Sequence, residues 1–421
     1  MNRIIHALAY VGALATASMA TPQAMAATYS FTAAWSSPGP LLGQPGAWCS
    51  YIVPDERPLT IPRTLVVGND IPNGTEIFSW GYREGLSDFT VTCTSSGIAG
   101  GGSNIDGYIN SSLVLATDSS GYVRLSDTGL GLKLWFRFNN GPGFDYTGCG
   151  GVSVNCEYYD TSYSAPTFTT KVPSGTEVEG SPAGYTTQGI TQTMRKYRTS
   201  ITPINQIVPS YTGSVSLRMS LVKIGPIQYN GPLKVLNSSV LRNTFYVNST
   251  MTTLNGFLDG AGITVVPPAC QLKTTDYNVS MGRWAADAIT HVGAPAYGAQ
   301  IPVNLSLECS GKTNHVRFRF EDTGSSLSGD NNVSLYDTAG GDKIEGLEIE
   351  LRYNGTKVNV DNSTLTDTGS HGSFVSFDPI FDSFSTAAFQ ARYVQKAAVT
   401  RSGTNYTGPV TGKVNMYVIY D

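Results

Sequence analysis

No long stretch of this 421-residue chain places apolar residues at helical spacing. Its apolar residues come instead in short β-branched runs between clusters of Gly, Pro, Asn and Asp, as in Ser214-Val-Ser-Leu-Arg-Met-Ser-Leu-Val222-Lys. Alternation of apolar and polar residues is what a strand with one buried face requires, and the bounding residues are those that turn a chain. The sequence therefore predicts an all-β protein. Only 14% of its residues are charged and its net charge is −4, so nothing points to nucleic acid or an anionic membrane as a partner.

The first residues point to export. Arg3 gives a short basic start, Ile4 to Ala20 is mostly apolar or small, and Ala24-Met25-Ala26 is a small-x-small cleavage site. This reads as a secretory signal peptide over residues 1–26, processed after Ala26 or Ala27. The apolar part is short for a membrane anchor and contains Thr16 and Ser18. Without it the chain has about 395 residues, enough for two domains of ordinary size.

All six cysteines, Cys49, Cys93, Cys149, Cys156, Cys270 and Cys309, lie in the exported part, and an even number there predicts three disulfides. Sequence alone does not fix the pairing. Grouping by domain favours Cys49–Cys93, Cys149–Cys156 and Cys270–Cys309. Zinc is disfavoured, because the only histidine before residue 291 is His6 and no Cys-x-x-Cys spacing occurs, so neither metal nor cofactor is expected.

The tail opens on Ile263-Thr-Val-Val-Pro-Pro-Ala-Cys270 and reaches its second cysteine through the alternating run Val303-Asn-Leu-Ser-Leu-Glu-Cys309. Strands are expected at His315 to Glu321, Gly346 to Arg352, Phe389 to Val394 and Gly412 to Tyr420. Asn354-Gly355 predicts a tight hairpin returning through Lys357 to Val360. The Pro-Ala-Cys start, Gly346 to Gly355, Ala391-Arg-Tyr393 and the Gly412–Asp421 terminus, in this order, resemble the pilin domain of chaperone–usher fimbriae. Behind a longer front domain of different character, the layout resembles a two-domain tip adhesin of type 1-like fimbriae.

That resemblance implies an immunoglobulin-like pilin sandwich at 263–421 that is incomplete, lacking its last strand. About six strands are read in this tail, and no seventh follows Tyr420. Such a sandwich leaves an open edge that another chain must cover. In the family a periplasmic chaperone fills it first, at an outer-membrane usher the adjacent subunit's extension then replaces it, and the fibre grows by strand donation. Ile263, Val265 and Val266 are expected on one wall of the groove, and Val414, Met416, Val418 and Tyr420 on the other. The stretch from Ala27 to Trp35 runs into a large domain rather than a free donor arm, which implies a place at the fimbrial tip.

The front domain, 27–255, reads as a lectin-like β-sandwich, joined through a Gly- and Asp-rich linker at 256–262. Its strands are expected at Thr64–Val67, Phe89–Cys93, Ser112–Ala116, Leu132–Phe138, Ser214–Val222 and Asn243–Asn248. A glycan site combines aromatic platforms with planar polar groups on loops held by a rigid sheet. The densest such stretch supplies the candidates Asn139, Asn140, Phe144, Asp145, Tyr146, Glu157, Tyr158, Tyr159 and Asp160. A Cys149–Cys156 bridge would stiffen it. Phe78, Trp80, Tyr82 and Arg83 form a second cluster, with Trp80 and Trp135 read as core. Structural roles compete at each position, since tyrosines pair across strands and Asn-Gly-Pro-Gly is ordinary turn chemistry.

An enzyme is not expected. The front domain has no histidine after the signal peptide and the chain no Gly-x-Ser-x-Gly elbow, while a glycosidase pair among Asp145, Glu157 and Asp160 cannot be tested for separation by sequence. A structural two-domain fimbrial subunit without a receptor is the alternative to an adhesin.

Overall fold

The computed structural model describes residues 26–35, 41–98, 105–106, 109–126, 129–139, 160–165, 168–171, 175, 177–180, 187–193, 197–198, 206–207, 210–247, 250–285 and 294–420. The signal-peptide reading falls outside them. The front domain contains β1 (Ala27–Trp35), β2 (Pro45–Val53), β3 (Arg63–Val66), β4 (Glu76–Trp80), β5 (Phe89–Ser95), β6 (Ile109–Ala116) and β7 (Leu130–Asn139). It continues with β8 (Asp160–Ala165), β9 (Glu177–Glu179), β10 (Thr187–Thr193), β11 (Tyr211–Lys223), β12 (Leu241–Val247) and β13 (Thr250–Leu254).

Two sheets result. One runs β9–β7–β11–β5–β2–β1, with β4 beside β11, and the other β8–β10–β6–β12–β13. The spine of the first is β11, which pairs with β7 from Ser214 to Lys223 on one side. On the other side its first half meets β5 and its second half β4. Alternation then decides the core: Ala33, Tyr51, Phe89, Leu134, Phe136 and Leu217 face Leu113, Leu115, Leu241 and Phe245 of the other sheet.

A polar network crosses this core. Tyr51 Oη is 2.6 Å from Ser111 Oγ and donates to Asn243 Oδ1 at 3.1 Å, while Asn243 Nδ2 donates to Ser111 Oγ at 2.8 Å. Buried polar groups are costly unless paired, so the network favours one alignment of the two sheets. Cys49 and Cys93 sit directly opposite in the β2–β5 ladder and are bonded. Trp80 is core, as expected. Trp135 is not: Leu134 and Phe136 take the inward positions of β7, which turns Trp135 to the outer face, half-buried.

The junction differs from a loose linker. Phe257 and Leu258 are buried in the front core, and Gly262 packs so closely on the turn after Leu59 that an added Cβ would lie 2.4 Å from Thr60 O. The next strand, β14 (Ile263–Val266), pairs in parallel with β3. Pro267 and Pro268 then interrupt the ladder, since neither can donate a backbone hydrogen bond. The tail's own ladders start beyond them.

In the tail, β15 (Ala269–Leu272), β16 (Ile301–Ser310), β21 (Ser383–Arg401), β19 (Lys343–Tyr353) and β18 (Val333–Tyr336) form one sheet in that spatial order. A smaller sheet runs β20 (Asp361–Asp367), β17 (Val316–Asp322), β22 (Val414–Tyr420). Phe318, Phe320 and Phe389 meet between them with centroid separations of 5.2 Å for each pair involving Phe389. Cys270 and Cys309 are directly opposite across β15 and β16 and are bonded. The Asn354-Gly355 hairpin forms with φ of 47° and 75°, the positive pair that a type I′ turn needs.

Candidate functional site

The tail's small sheet ends in an open edge. Strand β22 pairs with β17 along its whole length, from Val316 opposite Tyr420 to Asp322 opposite Val414. Its other edge meets no strand among the described residues. Val414, Met416 and Val418 point toward the tail core and are only half-buried, while Tyr420 is exposed. Leu272, Tyr277 and Met281 are also half-buried against that core, and the strand that ends at Leu272 approaches β22. On the other face of β22, Tyr417 donates to Glu321 Oε2 at 2.6 Å and the Arg319 guanidinium lies 4.4 Å from its ring centroid.

The expected first wall is corrected. Ile263 and Val265 are 1% and 4% exposed within the front-domain core, and Val266 accepts from the Val67 amide at 3.1 Å. Pairing with β3 takes these residues out of the tail core. The β-branched run was legible; which domain it serves was not.

In the front domain, Asn139 ends β7 and donates to Ser216 Oγ at 2.7 Å and Ser214 Oγ at 3.4 Å. Both serines donate to Asp88, at 2.6 and 3.1 Å, and Arg83 donates to the same carboxylate at 2.7 and 3.0 Å. Burial pushes Asp88 upward, but these hydrogen bonds and the Arg83 charge outweigh it and hold the carboxyl below its ordinary value. Asn140, Phe144, Asp145, Tyr146, Glu157, Tyr158 and Tyr159 lie outside the described residues, as does the Cys149–Cys156 pair. Asp160 opens β8, its backbone opposite Thr193.

The second aromatic cluster divides. Phe78 and Trp80 pack edge-on at 4.7 Å, and Arg63 covers Phe78 at 4.0 Å. Tyr82 turns outward and donates to Glu177, which is also held by Arg218 through Nε at 2.9 Å and Nη2 at 2.7 Å. Arg218 in turn lies 3.7 Å from the Trp135 ring centroid. Hydrogen bonds from Arg218 lead in holding Glu177 down at about 2. Burial, then Glu177, pushes Tyr82 up to about 12. Glu177 is thus ionised at neutral pH and poorly suited to donate a proton. The sequence reading missed Glu177 and Arg218, because only the β9–β7–β11 register brings them together. Among the described residues no group of His, Cys, Asp and Glu is placed to hold a metal ion.

The family model described as Fimbrial protein matches residues 261–421. Over that span the tail is similar to the fimbrial protein family. No curated protein matches the chain. Among solved structures, the CupB6 tip adhesin from Pseudomonas aeruginosa is 13% identical, covers 88% of this chain and 93% of its own, and has a TM-score of 0.41. A point mutant of the enterotoxigenic E. coli adhesin CfaE is 11% identical over 87% of this chain and 94% of its own, with a TM-score of 0.23. The P pilus rod subunit PapA is 16% identical, covers 37% of this chain and 100% of its own, and has a TM-score of 0.26. These structural likenesses are distant. The fimbrial domain as matched begins at residue 261, a few residues before the packing passes from the front core to the tail.

Proposed function

We propose that this protein is the tip adhesin of a chaperone–usher fimbrium. The observation that carries the proposal is the open edge of β22 beside a half-covered core. A strand laid along that edge would satisfy its outward backbone groups and set alternate side chains over Val414, Met416 and Val418. A periplasmic chaperone would supply the first such strand, and after passage through an outer-membrane usher the neighbouring subunit's extension would replace it. Strand β1 is already paired with β2 from Ala27 to Ala34, which favours a subunit that receives a strand without giving one. The front domain would then stand at the distal end, on the bacterial surface, with a host or surface glycan as its ligand.

Purified full-length protein should aggregate when alone and remain monomeric with a donor-strand peptide or its chaperone. A stable, soluble monomer without either would count against the proposal.

A further inference from the structure

Of the five tryptophans, all among the described residues, only Trp48 is exposed, at 53%. It stands on the outer face of the front sheet because β2 alternates, with Ala47, Cys49 and Tyr51 directed into the core. Its cross-strand neighbours are Thr32 on β1 and Thr94 on β5. One step along the same face, Ser30, Ser50 and Thr92 form a second row. Together they line a shallow concavity of about 400 Å³, and none of its lining residues is charged.

An exposed indole amid hydroxyls has a specific use. The C–H face of a pyranose can lie on an aromatic ring while hydroxyls at the rim exchange hydrogen bonds with those of the sugar. Ser30, Thr32, Ser50 and Thr94 have side-chain hydroxyls with no hydrogen bond to the described residues, while Thr92 shares one with Thr212 at 3.3 Å. The Cys49–Cys93 bridge joins the two strands immediately beside Trp48 and Thr94, so the platform is rigid before anything binds. A sialylated or sulfated glycan would be favoured by a cation at the site, and the lining has none. The charged groups of the front domain described above, Arg218 with Glu177 and Arg83 with Asp88, lie on other segments and are already paired internally.

We infer that the Trp48 face binds a neutral pyranose of a glycan chain, stacked on the indole and hydrogen-bonded by the surrounding serine and threonine hydroxyls. This rests on the reading of the front domain as glycan-binding, and the test separates the two. Full-length protein, wild type and variants, is applied to an array of neutral and sialylated oligosaccharides, and hits are titrated by tryptophan fluorescence. Wild type should bind neutral glycans with a change in indole emission. Trp48→Ala should weaken binding by about tenfold or more, as the loss of an aromatic stacking contact implies. Trp48→Phe should retain part of it, and Thr94→Val, which keeps the indole, should also weaken it. Because Trp48 is exposed, the thermal midpoint of Trp48→Ala should stay at the wild-type value. If wild type binds glycans and both Trp48→Ala and Thr94→Val bind equally well, this site is wrong while the glycan reading stands. A preference for sialylated glycans would overturn the neutral assignment, and no binding by wild type would overturn both.

Discussion

The backbone amide of Val66, in the front domain, donates to the carbonyl of Phe377, in the tail, at 2.7 Å. Phe377 also packs on the front core, and β14 extends the contact by pairing with β3. The accompanying ion pair, Arg63 with Asp378 at 3.9 Å, is exposed and contributes little. Backbone ladder and apolar contact thus hold the junction.

A bulky residue at Gly262 should loosen that junction. A Cβ there would lie 2.4 Å from Thr60 O and 2.5 Å from Thr60 C, and backbone cannot swing aside as a side chain can. Gly262→Val is expected to destabilise the protein by about 1–3 kcal/mol, as overpacking does. The check is the urea midpoint, with Gly329→Ala as a control, since nothing lies within 4 Å of a Cβ at Gly329.

The Glu177 cluster gives stability a pH dependence at both extremes. Glu177 has a folded value of about 2 against an ordinary 4.5, so its contribution is complete above about pH 4.5. It is lost as pH falls through about 2. Tyr82, raised from 10.0 to about 12, contributes fully below pH 10 and loses its contribution as pH rises through about 12. Denaturant midpoints measured against pH should show both slopes. Glu177→Gln should remove the acid one and, in an ultraviolet titration, bring Tyr82 ionisation to lower pH.

Removing the tail disulfide should be costly. The bridge spans 39 residues, and replacing both Cys270 and Cys309 by Ala is expected to cost about 3–4 kcal/mol in the loop-entropy picture. Equilibrium unfolding of the double variant, in the presence of a donor-strand peptide, measures it. The β15–β16 ladder carries the bridge, so the same variant should also bind the peptide less tightly.

Much of this architecture was legible because alternation is a local property. Leu305, Leu307 and Cys309, or Val316, Phe318 and Phe320, declare a buried face without any knowledge of their partners. Strand β20 did not declare itself, since Asp361-Asn-Ser-Thr-Leu-Thr-Asp367 is polar and mostly exposed and is held only as an edge of β17. Ile263 and Val265 showed the limit differently: the run announces burial, but parallel pairing with a strand some 200 residues earlier decides which core it joins. The same holds for Trp48 and Trp135. Their placement outside follows from strand phase, which a single aromatic residue in a sequence does not reveal.

Amide hydrogen exchange along Val414–Tyr420 tests the central claim most directly. Half of those amides already serve the ladder to β17, and the others face the open edge. With the N-terminal extension of a fimbrial subunit from the same fibre added as a peptide, the outward amides should change from fast to strongly protected exchange. The inward ones should change little. Outward amides that are protected without the peptide, or that stay unprotected at saturating peptide, would contradict strand acceptance at this edge.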